Sequence, residues 1–594
     1  MLAFTGSAVL SAANRSSDET ASRVLRAQGK KLTNIVHMMS DDQGWGELGY
    51  RGHKILKTPH MCEMARSGLR LERFYVSPIC SPTRAAVLTG RAGDRTGVVD
   101  QGQPMHVEEQ KTVARALQKA GWATGHFGAR ALLQLPTADH CRPRVCMSIA
   151  GKWHLDGLHS VGMGGGPILA NHSHNPSAFG FSYWVSSFGV FEVDPLLSRM
   201  GQVEDFVGDS SDVVVAVALK WMRENALAAI PALTVIWYPS PHEPWVALPA
   251  DRAAAPGVFK SRYYGEVVAM DRSIGAVRQG IREMGVENTT LLWFNSDNGG
   301  MHGLPVPTNG GLRGFKKEIF EGGIRVSGIV EWSGVIAPGR ITWYPTCIYD
   351  LFPTIVELLG LPQSDMMRPH DGTSLVRLFS RDLARRHKPI VITYKHRWAL
   401  IDNDIKYLTF GTSVTNSSGQ AHYFYNLSRP SKPVSDSSVH QNRSLRVGAI
   451  MGNEDEQDDY FKRAALALRR EATRPSNRSH EGRVFHHMMS LRSFMADFMA
   501  SVNASRHGHD YPGGKLVPGP GSHVWCDTPQ YRPYLADVLA RPQHRNEFRH
   551  LMGGNASWWW PIYKTMNRNS YNLNRTRRPR SRFEQLGGYL HITG

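Results

Sequence analysis

The chain has 594 residues, of which 41% are hydrophobic and 20% are charged, as in ordinary globular proteins. This composition excludes a fibrous or wholly disordered protein, and no run of about 18 apolar residues predicts a membrane span. The formal net charge of +18 suits polyanionic partners, although a solvated basic surface explains it more simply. No zinc-finger or RNA-recognition motif supports nucleic acid as a partner.

The N-terminal region, residues 1–30, includes an apolar stretch that ends in small residues, which indicates a weak or truncated signal peptide. Asn-x-Ser/Thr sequons recur along the chain and favour the secretory pathway, with a lysosomal or extracellular destination. The sequons begin at Asn14, Asn171, Asn288, Asn416, Asn426, Asn442, Asn477, Asn503, Asn555 and Asn574. The 6 cysteines show no metal-knuckle spacing, and their disulfide pairing cannot be assigned from the sequence.

Between residues 31 and 385, short apolar runs alternate with helical patterns, which predicts an α/β fold with a largely parallel sheet. Predicted strands are 33–39, 123–127, 233–238, 290–296 and 324–331. Predicted helices are 112–120, 212–228, 263–284 and 347–359. Several strands run directly into polar residues, and ligands of open α/β sheets gather at the carboxyl ends of strands. We therefore expect these polar residues to converge on one edge.

From residue 386 to residue 594 the sequence changes character, and we expect a smaller C-terminal subdomain with helical segments and a basic tail. Antiparallel strands are predicted within 399–409 and 421–427, and helices at 459–471 and 485–502. The polar stretch 431–459 has the composition of a loop or disordered segment, and a Gly/Pro-rich linker is predicted at 511–521.

Two acidic motifs follow predicted strands. Asp41 and Asp42 are adjacent, and such carboxylates repel each other unless a cation neutralises them. Asp297 and Asn298 add a carboxylate and an amide oxygen. Oxygen ligands of this kind suit Ca²⁺ or Mg²⁺ rather than zinc. A surface turn with a helix-capping aspartate explains the first pair equally well.

Further motifs place reactive groups in loops. Cys80-Ser81-Pro82-Thr83-Arg84 has the pattern Cys-x-Pro-x-Arg. Taken alone, this pattern is as consistent with an ordinary loop thiol as with a functional cysteine. Lys152 and His154 stand two residues apart, so an extended segment points both to the same side. The remaining candidates are His242, which lies between prolines, and Lys316, beside a glycine-rich turn.

Taken in their order along the chain, from Asp41-Asp42 through the Cys80 motif, Lys152, His242 and Asp297-Asn298 to Lys316, these motifs resemble those of the sulfatase family. The resemblance implies an α/β fold, an alkaline-phosphatase-like α/β/α sandwich with a smaller C-terminal α+β subdomain. It also implies a sulfuric ester hydrolase that cleaves carbohydrate or aryl sulfates, similar to the arylsulfatase and N-acetylgalactosamine sulfatase branch. A phosphate or phosphonate monoester hydrolase on the same scaffold, and an inactive homologue that binds sulfated glycans, are the alternatives.

The resemblance also implies the roles of the candidate residues. Cys80 would be converted to Cα-formylglycine by the formylglycine-generating enzyme, and Arg84 would hold the aldehyde hydrate. Ca²⁺ would be bound by Asp41, Asp42, Asp297, Asn298 and the modified Cys80. Lys152 and Lys316 would offset charge on the sulfate, His242 with Lys316 would protonate the leaving alcohol, and His154 would take the proton that releases sulfate.

One segment departs from the family pattern. In the family the strand that ends here at Phe127 runs directly into the Gly-Lys-Trp-His loop, whereas this chain inserts residues 128–150. Excision of the segment would restore an uninterrupted Gly-His-Phe-Gly-Lys-Trp-His-Leu sequence. Our hypothesis is a translated intron or a gene-model error, and a long surface loop is the alternative.

Overall fold

A computed structural model of the chain describes most residues between 31 and 537. The positions inside this span that it does not describe are 107, 128–151, 160–164, 192, 254–257, 303, 305–307, 411–420, 428–479, 517–522, 526–527 and 535–536. The predicted leader, the insertion at 128–150, the polar stretch 431–459 and the predicted helix 459–471 lie outside the described residues, as does the basic tail.

Most of the described strands belong to one large mixed sheet. In chain order the strands are β1 (Asn34–Ser40), β2 (Leu69–Tyr75), β3 (Ala123–Phe127), β4 (Leu158–His159), β5 (Tyr183–Ser186), β6 (Leu196–Arg199), β7 (Gln202–Asp205), β8 (Ala232–Trp237), β9 (Thr290–Ser296), β10 (Arg325–Glu331), β11 (Arg340–Thr342), β12 (Thr346–Cys347), β13 (Ile390–Tyr394), β14 (Arg397–Asp402), β15 (Ile405–Phe410), β16 (Ala421–Asn426) and β17 (His523–Val524). The large sheet has the order β11-β2-β10-β9-β1-β8-β3-β5-β6-β7, with β12 beside β2.

The helices form two packing groups around this sheet, which gives an α/β/α sandwich. They are α1 (Pro59–Ser67), α2 (Cys80–Thr89), α3 (Val113–Lys119), α4 (Ser210–Leu227), α5 (Pro249–Arg252), α6 (Val258–Glu283), α7 (Glu321–Ile324), α8 (Leu351–Leu359) and α9 (His480–Arg506). Helices α1 and α4 pack on α6, whereas α3 and α8 pack on α2. No helix within the described ranges is both long and apolar enough to cross a membrane.

Strand β1 lies at the centre of the sheet, between β8 and β9, and both pairings are parallel. All residues of the three strands are buried. Their apolar runs are nearly continuous because a sheet covered on both faces has no solvent side. Ser40 pairs with Ser296, and Met39 pairs with Trp237, so the three strands end at the same edge. This confirms the expected convergence.

The strand and helix predictions were largely confirmed. The five predicted strands correspond to β1, β3, β8, β9 and β10, and the predicted helices correspond to α3, α4, α6 and α8. Strand β2 was not predicted, and β10 runs antiparallel to both of its neighbours within the mixed sheet. Strand β2 escaped detection because charged residues interrupt its apolar pattern. One of these, Glu72, is buried in an ion pair with Arg70 at 2.7 Å.

The smaller C-terminal sheet has the antiparallel order β13-β14-β15-β16. Successive residues of its strands point to opposite faces of the sheet, and a different hydrophobic cluster packs on each face. Ile390 and Ile392 join the main hydrophobic core, whereas Val391 packs in a second cluster with Leu491 and Met495 of α9. Helix α9 corresponds to the predicted helix at 485–502. The boundary at residue 386 stays a prediction.

Candidate active site

Four of the five predicted metal ligands, all except Cys80, meet at the carboxyl ends of β1 and β9. The Asp42 backbone N–H donates to Asp297 Oδ1 at 3.1 Å, and Asn298 Nδ2 donates to Asp42 Oδ1 at 2.7 Å. Asp41, Asp42, Asp297 and Asn298 are all at most 1% exposed. Asp42 has a φ of 65°, a left-handed conformation that non-glycine residues seldom adopt. The chain therefore turns sharply between the paired carboxylates.

Two oxygens of this acidic cluster have no hydrogen-bond partner although they are buried. They are Asp41 Oδ1 and Asn298 Oδ1. Buried polar atoms are nearly always paired, so an orphaned acceptor indicates a missing cation or donor. Oxygen atoms of Asp41 and Asp297 also lie within 4.8 Å of each other and of Cys80 Sγ. Carboxylate and amide oxygens suit a hard cation such as Ca²⁺, and the donor set fits that ion.

Three basic side chains surround the acidic cluster. Arg84 Nη2 donates to Asp41 Oδ2 at 3.0 Å and to Asp297 Oδ2 at 2.7 Å. Lys152 Nζ lies 2.6 Å from Asp41 Oδ2, and Lys316 Nζ lies 2.7 Å from Asp42 Oδ2. Arg84 also donates to the Lys152 carbonyl at 2.6 Å, so it links the acidic cluster to the Lys152 loop.

The pKa values of the three aspartates are shifted in different directions. Burial raises the pKa of Asp42, but the nearby Lys316 and His242 outweigh burial and hold the pKa below its usual range. Asp41 behaves similarly, with Lys152 as the main opposing cation. Burial and the charge of Asp41 raise the pKa of Asp297 to about 7. Of the three carboxyls, Asp297 therefore benefits least from the basic side chains.

Cys80 is the first residue of α2 and is fully buried. Its neighbours fix the start of the helix: Ser81 Oγ accepts the Gly102 N–H at 2.8 Å, and Thr83 Oγ1 accepts the Ser77 N–H at 3.0 Å. The interpretation as a loop thiol is therefore wrong. Burial raises the pKa of the Cys80 thiol to about 11, so an unmodified thiol is protonated at neutral pH. Cys62, Cys80 and Cys347 form no disulfides.

Both predicted histidines lie beside the acidic cluster. His242 Nε2 is 3.5 Å from Asp42 Oδ2, and its Nδ1 donates to the Glu243 carbonyl at 2.5 Å. Burial, followed by Lys316, lowers the pKa of His242 to about 4. The pKa of His154 is held well below its usual range, first by burial and then by Lys152. His154 Nδ1 is buried without a hydrogen-bond partner.

The predicted extended geometry of the Lys152 loop is wrong at His154. This residue has a φ of 57°, so a turn, not strand alternation, brings its imidazole towards the charges of Lys152 and Asp41. The loop also lies in register with β3. Phe127 pairs with Ile236 of β8, and the Lys152 N–H donates to the carbonyl of the next residue, Trp237, at 3.1 Å. The strand ladder thus resumes where β3 stopped.

Sequence reasoning missed a supporting residue, Glu47. This buried carboxyl accepts the Gly44 N–H at 2.8 Å and the Tyr263 hydroxyl at 2.7 Å. It thereby fixes the loop that carries Asp41 and Asp42. Burial raises the pKa of Glu47 to about 8. The available signal was its place in the same glycine-rich motif, six residues after Asp41.

The family model described as Sulfatase matches residues 33–361. Human arylsulfatase D is 30% identical, with 61% of this chain and 70% of that protein covered. Mouse N-acetylgalactosamine-6-sulfatase is 28% identical, with 59% and 67% covered. A protein crystallised with its substrate D-glucosamine-2-N,6-O-disulfate has a TM-score of 0.53 at 16% identity, covering 74% of this chain and 98% of that one. This last likeness shows a shared fold.

Proposed function

The chain belongs to the sulfatase family and hydrolyses sulfate esters, and we propose that it does so with a formylglycine made from Cys80 and a bound Ca²⁺ ion. The observation that carries the proposal is the buried acidic cluster beside Cys80, with its two orphaned oxygens. Asp41, Asp42, Asp297 and Asn298 would hold the ion. When present, the ion polarises a sulfate oxygen and the formylglycine supplies an oxygen nucleophile for sulfur.

Arg84 would keep the ligands in place. Its guanidinium contacts Asp41 and Asp297 together, so neither carboxylate can rotate without breaking a charge-assisted hydrogen bond. The same side chain binds the Lys152 carbonyl. Arg84 therefore positions both the acidic cluster and Lys152. Its effect on the substrate would pass largely through these partners.

Lys152 and Lys316 would bind the sulfate group itself. Both ammonium groups are nearly buried and lie on different aspartates, one on Asp41 and the other on Asp42. Cations fixed in a site that excludes water stabilise negative charge as it develops on the transferred group. The two lysines would thus contact the sulfate oxygens from different positions in the site.

The two histidines would transfer protons at two different steps of the reaction. Lys316 Nζ and His242 Nε2 both approach Asp42 Oδ2, and we assign them the proton for the leaving alcohol oxygen. His154 Nδ1 lacks a partner and would accept the proton whose removal releases sulfate. Both assignments use side chains that already lie beside the acidic cluster, in a site from which burial excludes water.

We infer a sulfated carbohydrate as the substrate class, with aryl sulfates as the second class. Support comes from the relatives, one of which is named for a sulfated sugar. The sequons support passage through the secretory pathway, in a lysosomal or extracellular protein, where the formylglycine-generating enzyme would be the modifying partner. Calcium, glycosylation and this destination all belong to the proposal.

The test starts with protein from its native source or co-expressed with the formylglycine-generating enzyme. Mass spectrometry of the Cys80 peptide should show the aldehyde, and hydrolysis of 4-nitrophenyl sulfate should exceed that of 4-nitrophenyl phosphate. Cys80→Ala should lower kcat by at least about 10³-fold while leaving the unfolding transition nearly unchanged. An unmodified thiol in active protein, or retained hydrolysis in Cys80→Ala, would refute the mechanism.

A further inference from the structure

Three basic side chains, Lys317, Lys395 and Arg397, form a surface beside Cys80 that we call the basic rim. Lys317 directly follows Lys316 of the active site. Its backbone N–H donates to the carbonyl of Pro78, two residues before Cys80, at 2.6 Å. One member of the rim is therefore attached to the segment that leads into α2.

The other two members come from the tip of the β13–β14 hairpin. Arg397 Nη1 donates to the Lys317 carbonyl at 3.5 Å, and Lys395 Nζ lies 3.5 Å from Asp100 Oδ2. The loop with Asp100 contacts the residue that follows Cys80, because Gly102 donates to Ser81 Oγ at 2.8 Å. The C-terminal sheet thus touches both loops that flank Cys80.

The rim keeps its charge available to a ligand. Lys395 and Arg397 are exposed, and 59% of the Lys395 side chain is accessible in spite of its contact with Asp100. Among the described residues, no carboxylate lies within ion-pair distance of Lys317 or Arg397. An incoming anion would therefore meet two basic groups, Lys317 and Arg397, without a carboxylate at ion-pair distance, and an exposed third, Lys395, that already pairs with Asp100.

The backbone at two rim positions is unfavourable for lysine. Lys317 has a φ of 70°, and Lys395, the first residue of a two-residue hairpin loop, has a φ of 54°. The left-handed region favours glycine, and residues that retain a side chain there concentrate at functional sites. Glycine would ease both turns, so each lysine occupies a position whose backbone conformation does not favour a side chain.

We propose that the basic rim binds a second anionic group, a carboxylate or a sulfate, on the same glycan that presents its reacting sulfate to Cys80. This inference rests on the proposed sulfatase function. Lys316 would bind the reacting group while Lys317, its neighbour in the chain, faces the second one. The rim would thus favour acidic over neutral glycans without taking part in the chemistry.

The experiment compares three disaccharides that each carry one reacting sulfate. The first has a carboxylate on the adjoining sugar, the second has that carboxyl group reduced to an alcohol, and the third has a second sulfate in its place. The quantity measured is the ratio of kcat/KM for each acidic substrate to that for the neutral one. In wild-type protein the ratio should exceed one and fall as salt is raised, since ions screen exposed charges.

The variants are Lys395→Gly, Arg397→Gln and their combination. Each single change should lower the ratio by about two- to fivefold, and the double change by about tenfold, mainly through KM. Lys395→Gly also relieves the positive φ, so it should fold at least as well as wild type. Lys119→Ala is the matched control: this lysine is 65% exposed and 3.3 Å from Asp365. It lies just before the amino end of β3, whereas the active site lies at the carboxyl ends of the strands.

The outcomes separate the two proposals. If modified wild-type protein hydrolyses none of the disaccharides and no aryl sulfate, the sulfatase mechanism is overturned. Active wild-type protein whose ratio is unchanged in the double variant, or is lowered as much by Lys119→Ala, would overturn the basic rim alone. A fall with only one of the two acidic substrates would assign the rim to that anion.

Discussion

The acidic cluster and the basic rim are neighbours that place their charges in opposite settings. Asp41, Asp42 and Asp297 are buried, and each is in contact with a basic side chain. Lys395 and Arg397 are exposed, with weak contacts of 3.5 Å. A buried charge that loses its partner has no water to replace it, whereas an exposed charge does. On the two proposals, the acidic cluster would govern whether catalysis occurs, and the rim would govern which substrates are preferred.

The largest test of this comparison is Asp297→Ala. Removal of this proposed ligand leaves Arg84 without one of its carboxylates, and we expect kcat/KM for 4-nitrophenyl sulfate to fall by about 10²–10³-fold or more. Calorimetric titration with Ca²⁺ should show weakened binding. Asp404→Ala is the control, because that side chain is 59% exposed although it pairs with Arg73 at 2.8 Å. Unchanged Ca²⁺ affinity in Asp297→Ala would contradict the ligand assignment.

A second prediction concerns a buried ion pair outside the active site. Arg386 donates to both oxygens of Asp350 at 2.7 Å, and neither side chain is more than 1% exposed. Arg386→Met should lower the free energy of unfolding by about 3–5 kcal/mol. Arg340→Met should change it by about 1 kcal/mol or less, since its partner Asp382 is 69% exposed. Urea unfolding curves measure both, and equal losses would refute the distinction.

Asp156 provides a buried acid held by a backbone hydrogen bond. Its Oδ1 accepts the Leu158 N–H at 2.8 Å, and burial raises its pKa to about 8. Folding therefore favours the protonated carboxyl. The stability contributed by this group is complete below the unfolded pKa of 3.8 and is lost as the pH rises towards 8.

Asp156→Asn removes this titration. We expect the unfolding free energy of the variant, relative to that of wild type, to increase between about pH 5 and pH 8 by about 1–3 kcal/mol. Thermal or urea unfolding at several pH values measures the difference. A difference that stays constant with pH would show that Asp156 ionises normally in the folded protein.

The smallest expected effect belongs to deletion of residues 128–150. Because Lys152 bonds the position on β8 that follows the partner of Phe127, joining Phe127 to Gly151 should preserve the site. We expect kcat/KM within about threefold of wild type, which corresponds to less than about 1 kcal/mol. Loss of activity would contradict a dispensable segment. Transcripts that lack the segment would support the intron hypothesis, and its presence in most transcripts would refute it.

The acidic cluster was predictable from sequence because its motifs are short and follow buried strands. Parallel pairing in register then brings Asp41 and Asp297 together, although they are far apart in the chain. The left-handed backbone at His154 was not predictable, since it depends on packing against other segments. The basic rim was also missed. It requires Arg397 to meet a loop 80 residues earlier, and the exposed hairpin shows no pattern that points there.

Because the hydrogen-bond ladder beside β8 resumes at Lys152, the junction between Phe127 and Lys152 can differ in the number of residues that it carries. Phe127 and Lys152 bond to neighbouring residues of one strand, so these two residues lie close together. The entropy cost of closing a loop grows only with the logarithm of its length. This junction can therefore accept or lose sequence cheaply, and it offers a place for an affinity tag or reporter domain in a chain whose catalytic groups are otherwise closely packed.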